Sequence, residues 1–232
     1  LDRCVNASNL TKLKFEHCDV ANNNSVVDCV SRVKPEIIIH CAATKYNDLA
    51  DKFPFECIDT NVNGTLNLLR AGKMFGLKKF IAISTDKACP PLNSVYAMSK
   101  SIMEKSLILE SKKTDIKIAC IRFGNLPWST GSIFPIWLKM TKDLKKVQST
   151  GPEMTRYFFK VNEACNLVNY VIRNPKETNG KVIIPNMKSA KIKDILNYWS
   201  KIYKVNWIKI KKRPNDKDYE SIISSNEYCH VK

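Results

Sequence analysis

Short apolar runs alternate with stretches of helical period through the first half of the chain. Glu36–Ala42 is a continuous run built on Ile37, Ile38 and Ile39. It follows Pro35 and reads as a buried strand. Over Thr60–Phe75, apolar residues fall at Val62, Leu66, Leu69 and Met74, the spacing of one helix face, and Gly76 follows as a stop. Lys79–Ser84 predicts a second buried strand, Tyr96–Lys112 a second long helix carrying Ile102, Leu107 and Leu109, and Ile116–Phe123 a third strand. Lys14–Cys18 reads as a short strand ahead of these. Beyond Leu126 the pattern loosens, punctuated by Pro127, Pro135 and Pro152. There Tyr157–Phe159 starts a short strand, Val161–Arg173 predicts a helix with Glu163 near its start, Lys181–Pro185 another strand, and Ile192–Tyr203 an amphipathic helix.

Strand, helix, strand, helix, strand at this spacing implies right-handed crossovers and a parallel sheet, so the expected class is α/β. Ligands on such sheets bind beyond the carboxyl ends of the strands. His40–Thr44, Ser84–Lys87 and Gly124–Asn125 fall at three such ends. Residues 1–126 are expected to form this sheet domain, and 127–232 a smaller mixed lobe interleaved with its last elements. There is no internal repeat, low-complexity tract or long linker.

Composition narrows the function classes. Hydrophobic residues make up 44% of the 232, ordinary for a globular protein. No apolar run approaches the roughly 18–20 residues of a membrane span, so no membrane association is expected. The start, Leu1-Asp2-Arg3-Cys4, has neither an initiator Met nor the apolar core of a signal peptide. Nine cysteines form no C-x-x-C pair, which argues against a zinc site or a disulfide framework and for a reducing cytoplasm. No metal site is expected. The net charge of +16 is mostly scattered Lys, dense only at Lys209-Ile210-Lys211-Lys212-Arg213. Without interleaved aromatics in an RNA-binding motif, that charge reads as a solvated surface, not a nucleic-acid site. A positive field also suits a substrate carrying a diphosphate.

The strongest chemical signal is Ser84-Thr85-Asp86-Lys87-Ala88 at a strand end, followed by Tyr96-Ala97-Met98-Ser99-Lys100. Y-x-x-x-K on a helix sets Tyr96 and Lys100 one turn apart on one face. The ammonium is then expected to lower the phenol's pKa, so that Tyr96 can take a proton from a sugar hydroxyl while hydride leaves for a nicotinamide ring.

At this point the chain resembles a known family. Phe80–Asn93 is similar to the strand-end motif of the CapD-like polysaccharide-biosynthesis enzymes, which are extended short-chain dehydrogenases/reductases (SDR). Within that family it looks most like the inverting UDP-N-acetylglucosamine 4,6-dehydratases. His40–Lys45, Pro54–Glu56, Thr60–Val62, Gly64–Asn67, Arg122–Asn125, Gly131–Ile133, Met154–Tyr157 and Arg213–Lys217 follow the family's motifs in order. The resemblance implies a Rossmann-like fold, an NADP or NAD cofactor with NADP favoured, a UDP-sugar substrate and a possible homo-oligomer. It implies that Tyr96 and Lys100 assist oxidation at sugar C4, and that Asp86 and Lys87 act as acid and base in loss of water across C5 and C6. Thr85 would hydrogen-bond the sugar O4. Ala42 and Ala43 would leave room for the cofactor, Asn61 would brace the strand ends, and Ser84 and Asp19 would join the cofactor side, Asp19 at the adenine. Lys45, Asn125, Arg156 and Arg213 would meet the substrate.

The chain departs from that family in one large respect. Its seven glycines begin at Gly64, so no G-x-G-x-x-G loop precedes the first helix, and the first βαβ unit is expected to be missing through truncation. Two alternatives stay open: a nucleotide-sugar 4-epimerase on the same fold, and a non-catalytic remnant. An epimerase needs no acid/base pair for elimination, so Asp86 beside Lys87 favours the dehydratase.

Overall fold

A computed structural model describes residues 13–91, 94–212 and 216–231. In chain order these form α1 (Asn23–Val33), β1 (Ile37–His40), α2 (Asn47–Lys52), α3 (Pro54–Ile58), a π-helical turn at Asp59–Asn63, α4 (Gly64–Met74), β2 (Lys79–Thr85), a 3-10 turn at Asp86–Ala88, α5 (Val95–Glu110) and β3 (Lys117–Phe123). There follow α6 (Ile133–Leu144), β4 (Lys146–Ser149), β5 (Thr155–Phe158), α7 (Val161–Arg173), α8 (Pro175–Thr178), β6 (Lys181–Ile183), β7 (Lys188–Lys191), α9 (Ile192–Tyr203) and β8 (Asn206–Lys209). The main sheet runs β1–β2–β3–β6, every pair parallel, so the α/β expectation holds. Helices supply the crossovers that parallel neighbours require.

Side-chain alternation on β2 divides the core. Phe80 and Ala82 face α1, α4 and α5 with Val26, Leu69, Met103, Leu107 and Ile118. Ile81 faces the other way, with Ile121, Phe123, Ala164 and Val171 against α7. A third cluster, Trp137, Val147, Leu196 and Trp199, joins α6, α9 and the parallel pair β4–β8. The second half of the chain thus returns β6 and α7 to the main sheet while α6, α9, β4 and β8 build a separate layer.

Three expectations need correction. The segment over Ile37–His40 is a strand, but it is not buried on both faces: Ile37 is 37% and Ile39 45% exposed. Among the described residues it lies at the sheet edge; Ile38 and His40 turn inward, while α7 packs on β2 and β3. Lys14–Cys18 is not a strand: among the described residues no neighbour pairs with it, and residues 14–17 are exposed. The helix expected from Thr60 begins as the π-helical turn and becomes α-helical only at Gly64. Its stop is as expected, with Gly76 at φ +83° and the Leu77 N–H bonded to the Gly72 carbonyl at 2.9 Å.

Candidate active site

β2 ends at Thr85 and turns at once into the 3-10 turn, because the Thr85 hydroxyl caps it: Oγ1 accepts from the Lys87 N–H at 3.4 Å. The same hydroxyl donates to Asp86 Oδ1 at 2.9 Å. Helix α5 starts nine residues after Asp86, its first N–H held by Asp51 Oδ1 at 2.9 Å and Ser94 donating to Asn47 at 3.2 Å. That entry brings Tyr96 against the end of β2, within the field of Lys87 and Asp86. Ser84, Thr85, Asp86, Tyr96 and Lys100 are all buried. Lys87 donates to Asp86 Oδ1 at 3.3 Å.

The electrostatics differ from the sequence expectation in two places. Lys100 does not sit on Tyr96. Its Nζ donates to the Ile83 carbonyl at 2.8 Å and lies 3.7 Å from Met103 Sδ. Burial pushes Lys100 down to about 8. The cation that favours the Tyr96 phenolate is Lys87, yet burial dominates and the phenol is raised, with Asp86 and Cys57 adding to the rise against Lys87 and the Thr85 hydroxyl. Lys87 itself is also raised. Burial works against its charge, but Asp86, Glu220 and Tyr96 outweigh both burial and Arg156. A lysine resting as an ammonium is not yet a base.

The other predicted residues take varied places. Asn61 forms a knot: its Oδ1 accepts from the Thr44 N–H at 2.8 Å while Nδ2 donates to the Thr44 carbonyl at 3.0 Å and to Ser99 Oγ at 2.9 Å. It braces the β1 end against α5 and leaves its amide fully engaged by protein. Ala42 is exposed and Ala43 half-buried at the rim after β1. Lys45 is exposed, donating to the Thr130 carbonyl at 2.6 Å. Asn125 stitches the end of β3 to β5, donating from its N–H at 2.9 Å and from Nδ2 at 3.1 Å to the Tyr157 carbonyl. Arg156 faces the C-terminal segment, donating to the Lys217 carbonyl at 2.8 Å with Nε 3.8 Å from Glu220 Oε1. Asp19 lies in the turn before α1, where Oδ1 accepts from the Ala21 N–H at 3.0 Å, away from the Thr85–Lys87 group. Arg213 lies outside the described residues.

The sequence reading missed two buried groups of charges. Glu220, its side chain 2% exposed, approaches Lys87 Nζ at 3.5 Å and Lys217 Nζ at 3.7 Å. Arg122 on β3 is gripped by Glu104 of α5 at 2.6 and 3.1 Å and by Glu227 at 3.0 and 3.1 Å, and it donates to the Ile222 carbonyl at 2.6 Å. The residues that would meet a nicotinamide include one with a free polar atom: Ser84 Oγ is buried with no hydrogen-bond partner, as is Asp86 Oδ2. An unpartnered hydroxyl and small alanines at one rim fit that half of a dinucleotide.

A family model described as "Polysaccharide biosynthesis protein" matches residues 2–232. The UDP-glucose 4-epimerase of Rickettsia bellii is 33% identical over 228 residues, 95% of this chain, and the chain spans 65% of that relative's length. An uncharacterized membrane protein of Methanocaldococcus jannaschii is 34% identical over 235 residues, covering 96% of this chain and 69% of that protein. No helix among the described residues is long and apolar enough to cross a membrane. Among solved structures, DesIV, a dTDP-glucose 4,6-dehydratase from Streptomyces venezuelae with NAD and TYD bound, superposes with a TM-score of 0.80 at 17% identity, covering 95% of this chain and 74% of that one. That likeness shows the fold, a Rossmann-like sheet of the extended SDR kind.

Proposed function

The chain belongs to the polysaccharide biosynthesis protein family, and from that premise we propose that it serves as an NAD(P)-dependent nucleotide-sugar 4,6-dehydratase acting on UDP-N-acetylglucosamine. One observation carries the choice of reaction: a carboxylate and an amine adjoin the Thr85 hydroxyl at one strand end, with Lys87 Nζ 3.3 Å from Asp86 Oδ1, Thr85 Oγ1 donating to Asp86 at 2.9 Å and Tyr96 in the field of both charges. A nicotinamide, when bound, supplies acceptance and return of a hydride. The protein's own residues then handle protons. Tyr96, held protonated by burial, would pass its proton to the neighbouring Asp86 carboxylate, which frees the phenolate to take the proton of sugar O4. Asp86 is then a carboxylic acid, the form that protonates a departing C6 hydroxyl. With its partner neutralised, Lys87 loses the charge that holds its proton most directly; its side chain, 25% exposed, can then release that proton to water and become the amine that removes the C5 proton. An epimerase would need the first of these transfers but not the second.

A 4-epimerase is the second reading, and the Rickettsia relatives named UDP-glucose 4-epimerases favour it. Incubation with UDP-N-acetylglucosamine and NAD(P), followed by mass spectrometry and NMR of the sugar, tests both. Loss of one water with a 4-keto-6-deoxy ring supports the dehydratase. A 4-epimer of unchanged mass, as sole product, replaces it with the second reading. Absence of turnover and of binding with UDP-sugars removes both.

A further inference from the structure

Glu220 is held differently from the other buried carboxylates. Glu104 is locked by Arg122 at 2.6 and 3.1 Å, the bidentate geometry of a structural ion pair. Glu220 is as deeply buried, yet its three cations stand at 3.5 Å (Lys87), 3.7 Å (Lys217) and 3.8 Å (Arg156), and its Oε2 has no hydrogen-bond partner. A carboxylate kept out of water without close bonds contributes chiefly through its field. The segment that carries it is fastened on both sides. The Thr155 N–H donates to the Asp218 carbonyl at 2.9 Å and Arg156 to the Lys217 carbonyl at 2.8 Å, which ties it to β5. Lys217 donates to the Pro90 carbonyl at 2.7 Å, which ties it to the loop after the 3-10 turn.

We propose that Glu220 is a positioning residue of the strand-end site: opposite Asp86, it holds the Lys87 ammonium from the side of the C-terminal segment and sets both its direction and its readiness to give up a proton. The charged and titratable groups facing Lys87 are Asp86 beside it, Tyr96 from α5, Arg156 from β5 and Glu220. Only Glu220 comes from a segment outside the regular elements. A shift of that segment would therefore change the field at Lys87 without moving β2 or α5. The inference rests on the dehydratase reading for the role of Lys87, but not for the pairing itself.

The test is an NMR titration of the lysine Nζ groups in the isolated chain, with Lys87 assigned through Lys87→Arg. In Glu220→Gln the Lys87 midpoint is expected to fall by about one to three pH units, the size of effect an opposite charge has at this range. A midpoint that stays put, in a variant whose circular dichroism and unfolding midpoint match the parent, overturns the proposal. If Glu220→Gln does not fold, Glu220→Asp withdraws the carboxylate by one methylene. It should give a smaller fall in the same direction, and an unmoved midpoint there is equally fatal. Because the titration needs no turnover, its outcome is separate from the sugar assay: a fall without dehydration keeps the pairing and sinks the dehydratase, and dehydration without a fall does the reverse. In a preparation that does turn over sugar, Glu220→Gln should move the limb of kcat that reports amine formation to lower pH and leave KM unchanged. A purely structural role would move neither.

Discussion

Removing Arg122 should expose how firmly the end of the chain is clamped to the sheet. Arg122 is 2% exposed and Glu104 6% exposed at the side chain, so Arg122→Met leaves the Glu104 carboxylate in the core without its guanidinium. Breaking one side of such a pair costs about 3–5 kcal/mol. Glu104→Met is milder, because Arg122 keeps Glu227 at 3.0 and 3.1 Å and the Ile222 carbonyl at 2.6 Å; loss of the charged hydrogen bonds alone costs about 1.5–3 kcal/mol. The double variant removes both buried charges and fills the space with apolar atoms. Glu227, 39% exposed, can turn to water. The pair of substitutions together should therefore lie within about 2 kcal/mol of the parent, well short of the summed single costs. Urea unfolding of the four proteins, followed by circular dichroism, closes the cycle. Single costs that add to the double within about 0.5 kcal/mol would refute the coupling, and an Arg122→Met cost below about 1 kcal/mol would show that the carboxylate is not trapped at all.

Three further outcomes follow from the same geometry. Burial opposes ionisation of Glu227, but hydrogen bonds from Arg122, Cys89 and the Ser224 N–H outweigh it and hold the group at about 2 against an ordinary 4.5. Its contribution is thus complete above pH 4.5 and lost as pH falls toward 2, and acid unfolding of Arg122→Met should lack that slope. Lys100 is lowered by burial from 10.5 to about 8, so between those values the unfolded chain holds a proton that the folded chain has released, and stability should climb with pH across that window. Lys100→Met should abolish the climb and raise the melting temperature at pH 7, by up to about 3 kcal/mol of stability; a lower melting temperature would contradict the burial account. A Cβ on Gly124 would meet Tyr157 Cβ at 2.7 Å and its carbonyl oxygen at 2.8 Å, so Gly124→Ala should cost about 1–3 kcal/mol in a urea melt by forcing β3 away from β5.

The central strands were legible because they are apolar runs rich in β-branched residues, which β2 and β3 bury on both faces; both fall within a residue of where periodicity put them. Besides the short α2, α3 and α8, two longer helices escaped, for opposite reasons. α1 is mostly polar, with Val26 and Val30 its only buried residues, too thin a stripe to register. α6 carries Pro135, which read as punctuation. In the structure it occupies the first turn, where no intrahelical partner awaits its missing N–H. In the site, the residues around Thr85 and Tyr96 were readable because they share one strand end and one helix turn. Glu220 was not, since it sits in an irregular segment whose periodicity says nothing about which way a side chain turns. The protonation of Lys87 was beyond reach for the same reason: part of the field that decides it, second only to Asp86 among the charges that raise it, comes from that distant carboxylate. Tyr96 and Lys100 have the spacing that puts them on one face, but spacing does not say that the Ile83 carbonyl lies nearer to the amine than the phenol does.

Among the described residues no strand lies along the outer side of β1, and on that rim Ile37 and Ile39 stand open to water. A strand edge of this kind beside exposed isoleucines is a template for extended peptide, and like charges spread over the rest of the surface shield it only at low ionic strength. Added salt, which usually calms so basic a protein, should here bring molecules together at this flank, so dilute, low-salt buffer is the condition in which the isolated chain keeps to itself.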